Sequence, residues 1–129
     1  MFSALFNDAP LGSLWIVLEE IWKERIPGYD QNSTRHDHPG CSIRRAGLTI
    51  EPIAMLHGTS QRHGGRGVCV SNVKGDSGET YFGYTPPVTF SLEDWFVSRS
   101  VTPAFKGRLD ENEERELKTK CRERGWGHV

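Results

Sequence analysis

The sequence predicts one α+β domain over residues 1–129, mainly β, and three observations carry that expectation. Fourteen glycines and seven prolines are too few for a low-complexity chain but enough to cut it into many short elements. Five short stretches have strand character: Gly40 to Arg44, Leu48 to His57, Gly67 to Val73, Glu79 to Tyr84 and Val88 to Phe90. They alternate with turns at Ala46-Gly47, Gly58 to Gly67, Lys74 to Gly78 and Pro86-Pro87. Long helical patterns lie only towards the two ends. This arrangement predicts a small curved antiparallel sheet or barrel with helices appended to it.

In chain order, Leu14, Val17, Leu18, Ile21 and Trp22 recur at the spacing of one helix face, with Glu19, Glu20, Lys23 and Glu24 between them. The expectation is an amphipathic helix over residues 11–27, with its periodic part from Leu14 to Ile26, stopped by Pro27-Gly28. Trp15 widens its apolar face. From Tyr29 to Pro39 no apolar period exists, so this segment reads as a long exposed loop. The barrel is expected over about residues 38–105, with a short helix or turn at Ser91 to Phe96. A charged helix over residues 110–124 closes the chain. Asp110 and Glu113 fit an N-cap pair, Lys118, Lys120, Arg122 and Arg124 complement the far end of the dipole, and Leu117 and Cys121 form a thin apolar stripe continued by Leu109.

A formal net charge of −1 and a sequence pI near 6.5 exclude the bulk positive field of a non-specific nucleic-acid binder, so any such site must be local. The longest apolar run, Leu14 to Leu18, is far too short to span a bilayer, and the first residues carry no basic leader pattern. A cytoplasmic protein is expected. The three cysteines, Cys41, Cys69 and Cys121, lack C-x-x-C spacing, which argues for reduced, partly buried thiols rather than disulfides or a cysteine-rich zinc site.

Two clusters carry chemistry. Arg35-His36-Asp37-His38-Pro39, followed by Cys41, Arg44 and Arg45, joins two imidazoles to a carboxylate and several guanidinium groups. These are the ingredients of proton transfer and phosphate binding. The same residues also fit a polar loop without chemistry, or a metal site completed by His57, Asp76 or Cys69; the spacing demands none of these. The second cluster runs from His57 to Gly67, where Thr59 and Ser60 leave an apolar strand and Arg62, His63 and Arg66 follow among glycines. Hydroxyls and open backbone N–H groups at a strand end contact phosphate well, although a solvated hairpin tip has the same composition. Among the aromatic residues Tyr81, Phe82, Tyr84, Phe90, Trp95 and Phe96, core packing is the main expected use, with one face of Tyr81–Phe82 available for stacking on a base. No nucleophile elbow or zincin helix is present.

The strand opening His38-Pro39-Gly40-Cys41-Ser42-Ile43, the strand Ile53-Ala54-Met55-Leu56-His57 running into Gly58-Thr59-Ser60-Gln61, and Lys106-Gly107-Arg108-Leu109 before a terminal helix resemble the PemK/MazF family of toxin endoribonucleases. The resemblance covers roughly Arg35 to Gly125. It implies an SH3-like barrel, usually dimeric, that cleaves single-stranded RNA without metal or other cofactor and is held inactive by an antitoxin protein. His38 stands where the family usually has its catalytic Arg before Pro, and Thr59 and Ser60 match its substrate-contacting turn. Arginine braces a phosphorane with a permanent charge, whereas histidine is suited to moving a proton. The expected catalytic set is therefore His38, His36, Arg35 and Arg44, with Thr59, Ser60, Arg62 and Arg66 binding substrate. The alternatives are a non-catalytic module that binds protein or nucleic acid, docking a partner through Trp15 and Trp22, and a metal-dependent nuclease built on His36, His38 and His57.

Overall fold

The computed structural model describes residues 11–43, 53–60, 67–71, 79–90 and 104–126. Arg44, Arg45, Arg62, His63, Arg66, Asp76 and the Ser91 to Phe96 segment lie outside the described residues, as does the first part of the strand expected from Leu48. The described chain is mainly β: a curled antiparallel sheet with two helices. In chain order the elements are β1 (Ser13–Leu18), α1 (Glu19–Arg25), β2 (Asp37–Ser42), β3 (Ile53–Thr59), β4 (Cys69–Ser71), β5 (Thr80–Phe82), β6 (Val88–Phe90), β7 (Ala104–Arg108) and α2 (Glu111–Glu123). The sheet runs β4-β5-β3-β2-β1-β7, and every pair is antiparallel. β3 divides one of its edges, pairing β6 through Ile53 to Met55 and β5 through Gly58 and Thr59.

The helix expected over residues 11–27 is corrected at its first half. Residues 13–18 form a strand that pairs β2 on one side and β7 on the other, and only Glu19–Arg25 is helical. The sequence Ser-Leu-Trp-Ile-Val-Leu mixes aromatic and β-branched residues and is apolar on both faces. A strand covered on both sides reads as one continuous apolar run, and such a run also satisfies a helical template over a few residues. The helical reading holds only for Ile21 and Trp22, which lie within the helix and are buried. The expectation of a long exposed loop to Pro39 is likewise shortened, since β2 begins at Asp37.

Period-two alternation then sorts the side chains between two cores. On one face Leu14, Cys41, Ile43, Ala54, Leu56, Val68 and Phe82 pack with Leu109 and with Leu117 and Cys121 of α2. Burying a side chain such as Leu117 contributes about 2 kcal/mol. On the other face Trp15, Val17, Met55 and Phe90 pack with Ile21, Trp22 and Ile26 from α1 and its exit. Gly40, in the middle of β2, lets this second core close: a Cβ there would meet the Trp22 ring at 3.1 Å and the Met55 sulfur at 3.3 Å. The Trp22 indole N–H reaches past it to the His38 carbonyl at 3.2 Å.

α2 forms as expected. Asp110 accepts from the Glu113 N–H at 2.8 Å, and the Glu113 carboxylate accepts from the Asp110 N–H at 2.8 Å, a reciprocal capping box. The helix ends at Gly125, whose φ of +73° suits a residue without Cβ. All three thiols are free and buried. Burial pushes the Cys41 thiol well above its ordinary value and that of Cys121 up to about 11, so neither has the thiolate character of a nucleophile.

Gly58, opposite Phe82, tests this packing. A Cβ would lie 2.6 Å from the Phe82 ring and 2.9 Å from the Thr80 methyl, so Gly58→Ala is expected to destabilise the fold by about 2–3 kcal/mol in urea denaturation. Asp110→Ala, which removes only the cap, is expected to cost about 1 kcal/mol by the same measurement.

Candidate functional site

A cavity of about 420 Å³ opens where the end of β1, the α1–β2 connection, β2 and β3 meet, and its walls include Glu19, Tyr29, Ser33, Arg35, His38, His57, Thr59 and Tyr84. The same alternation that builds the core places its centre. Trp15 and Val17 face the α1 side of the sheet, and Glu19, the next residue in that series, continues it past the strand end into the first turn of α1. On β2 the face bearing Gly40 also bears His38; on β3 the face bearing Met55 also bears His57 and Thr59. Gly40 pairs with His57, so His38, two residues along β2, is its diagonal neighbour. The two imidazole centroids are 4.6 Å apart.

Glu19 is the hub. It is 3% exposed, and its oxygens accept from His38 Nδ1 at 2.5 Å, from the Tyr29 hydroxyl at 2.9 Å and from the Ser33 hydroxyl at 2.6 Å. A carboxylate only accepts, so these contacts put the neutral-ring proton of His38 on Nδ1 and leave the Nε2 lone pair as acceptor. The single Tyr29 proton is committed to Glu19, and the 2.9 Å contact between Tyr29 and His57 Nε2 is then an N–H donated by the imidazole to the phenol oxygen. His57, 3% exposed, is braced edge-on by Trp22 at 4.9 Å, Tyr29 at 5.3 Å and Tyr84 at 5.8 Å between centroids. His38 keeps 14% of its side chain open to solvent and is part of the cavity wall. Burial first, and then the hydrogen bond to Glu19, raises the Tyr29 pKa far above its ordinary value.

The residues expected from the sequence divide cleanly. His38, Arg35 and Thr59 are brought together in the cavity wall. His36 is not: its side chain is 77% exposed and is paired with Asp37 at 3.0 Å. Ser60 is exposed beyond the end of β3 and is not part of the wall. Arg44, Arg62 and Arg66 lie outside the described residues. His57 enters in place of His36. Glu19, Tyr29 and Ser33 were missed, Glu19 because a helix spanning the whole segment set it on a solvated face. The available signal was the 15, 17, 19 alternation and a lone tyrosine in an otherwise polar loop.

Among the described residues Glu19, His38 and His57 also form a group able to hold a metal ion, their donor atoms lying within 4.8 Å of one another. No helix among the described residues is long and apolar enough to cross a membrane. Comparison with protein-family models, with curated proteins and with solved structures finds no match.

The tyrosine at the hub makes the network measurable. Tyr29→Phe removes a hydrogen bond to a buried carboxylate and is expected to cost about 1.5–3 kcal/mol in urea denaturation at neutral pH. Because the folded chain holds the Tyr29 proton above the ordinary value of 10.0 while the unfolded chain releases it, this stabilisation is complete below that pH and declines as pH rises above it. The difference between wild type and Tyr29→Phe is therefore expected to narrow in alkaline solution.

Proposed function

We propose that this chain is a toxin-like endoribonuclease of the PemK/MazF kind, an SH3-like barrel in the cytoplasm that cleaves single-stranded RNA by metal-independent attack of the 2′-hydroxyl. The observation that carries the proposal is the Glu19–His38 pair, its carboxylate buried and its imidazole partly exposed, in one cavity with Thr59 and Arg35. A carboxylate holding Nδ1–H orients the ring and stabilises the imidazolium that forms when Nε2 takes a proton, the arrangement of a general base. The cavity lining includes Arg35 and Thr59, whose guanidinium and hydroxyl are groups suited to phosphate oxygens.

In the proposed reaction His38 Nε2 removes the 2′-hydroxyl proton and the 2′ oxygen attacks the adjacent phosphorus. Arg35 offsets the charge on the equatorial oxygens and Thr59 positions them. The bond from phosphorus to the 5′ oxygen breaks, and that oxygen takes a proton from water at the open side of the cavity. The products are a 2′,3′-cyclic phosphate and a 5′-hydroxyl, and imidazolium returns its proton to solvent. Replacement of the family's arginine by histidine is offset here by dividing two tasks, proton transfer to His38 and charge to Arg35. A homodimer and an antitoxin partner belong to the same reading.

Labelled single-stranded RNA incubated with the protein in EDTA tests it. Wild type is expected to cleave, His38→Ala to lose about 10²–10⁴-fold in rate, and His36→Ala to keep most of it. Equal rates for His38→Ala and wild type, or no cleavage by wild type, would overturn the mechanism.

A further inference from the structure

We infer that Glu19, His38 and His57 form a binding site for a divalent first-row transition metal of the zinc type, and that occupancy of this site switches the proposed nuclease off. The site stands on its own geometry; only the switching consequence rests on the nuclease reading. Two imidazole nitrogens and one carboxylate oxygen are a donor set for such an ion, whereas calcium or magnesium would call for oxygen alone. The three donors come from three separate elements, the first turn of α1, β2 and β3, so the sheet register holds them together rather than a flexible loop.

The distances are close to those of a metal site. Zinc bonds nitrogen and oxygen ligands at about 2.0–2.2 Å, so two ligands of a tetrahedral ion lie about 3.3 Å apart. Here the donor atoms lie within 4.8 Å of one another, and the shortest approach, His38 to Glu19, is 2.5 Å. One side of the triangle must open and the longest must contract for an ion to bind all three. A polar atom already marks the point of convergence: the Tyr29 hydroxyl is 2.9 Å from Glu19 Oε1, 3.3 Å from His38 Nδ1 and 2.9 Å from His57 Nε2. The phenol oxygen or a water then completes the coordination. Outside the donors, Ser33 holds the other Glu19 oxygen at 2.6 Å, and Trp22 fixes the His57 ring, the supporting contacts that orient metal ligands.

Proton counting makes metal binding and base catalysis mutually exclusive. A neutral imidazole carries one proton. With Glu19 as partner that proton sits on His38 Nδ1 and Nε2 is the base; with a metal on Nδ1 the proton must move to Nε2, and the lone pair that would accept the 2′-hydroxyl proton is gone. The metal also draws off the Glu19 carboxylate that would stabilise the imidazolium. Binding thus removes the base twice over.

Cobalt(II) titrated into metal-free protein, followed by its visible d–d absorption, tests the site directly. The expected result is one ion per chain, displaced by zinc, lost in Glu19→Gln and His57→Asn, and about 10–100-fold weaker in Ser33→Ala, which retains all three donors. Circular dichroism verifies that each variant is folded, and Ser33→Ala keeps the test decisive if a buried ligand variant does not fold. Absence of the band, a band unchanged in Ser33→Ala and Glu19→Gln, or intense thiolate charge-transfer absorption marking a cysteine site would overturn the assignment. One equivalent of zinc is then expected to stop RNA cleavage and EDTA to restore it. Cleavage that persists at saturating zinc, or that requires zinc, overturns the switch. Absence of cleavage under all conditions, with the cobalt band intact, overturns the nuclease reading and its switch while upholding the metal site.

Discussion

A carboxylate almost wholly withdrawn from water costs several kcal/mol unless its oxygens are matched by donors, and Glu19 imposes that requirement on everything around it. Its position at the junction of β1 and α1 is forced by the run before it, because the strand needs Trp15 and Val17 on the inner face and the next residue in phase is the glutamate. Tyr29 and Ser33 from the connecting segment and His38 from β2 supply the donors. The α1–β2 connection is thereby tied to the sheet by polar contacts, where most connections of its length are merely solvated.

The second dependency is volume. A sheet apolar on both faces must be covered twice, and the two helices do this, α2 over the Leu56 side and α1 over the Met55 side. α1 has only seven residues and no side-chain N-cap, so its stability comes from what it buries rather than from helix propensity. Trp22 is the main anchor, and it seats only because Gly40 leaves the β2 surface open beneath it. The same indole then forms a wall for His57. Packing and site are therefore one construction: the groove that accepts the tryptophan brings the helix, its glutamate and the two histidines to one place.

This shared construction underlies both proposed uses of the cavity, proton transfer and metal binding. Both uses draw on lone pairs that converge within a few ångströms, and they differ only in where one imidazole proton resides. The thiols, by contrast, are spent on packing. Cys41, Cys69 and Cys121 are buried in the opposite core, where desolvation holds them protonated.

The short strands, the reduced thiols and the terminal helix with its Asp110–Glu113 cap were legible in the sequence because each depends on residues close together in the chain. His38 and Thr59 were legible as candidates, and Arg35 with them, from residue type and neighbours alone. Residues 13–18 were not, since six apolar or small residues satisfy a helical period and a doubly covered strand equally well, and only pairing with β2 and β7 decides between them. That one choice carried Glu19 with it, from a solvated helix face to the centre of the site. The choice between His36 and His57 was equally tertiary: His36 lies just before β2 begins at Asp37 and stays exposed, whereas the register of β2 against β3 sets His38 beside His57, a histidine far away in the chain. The sequence by itself determined which chemical groups this protein has and the local elements that carry them. The tertiary structure decided which of those groups meet, because burial and strand register are properties of the whole sheet and not of any window of the chain.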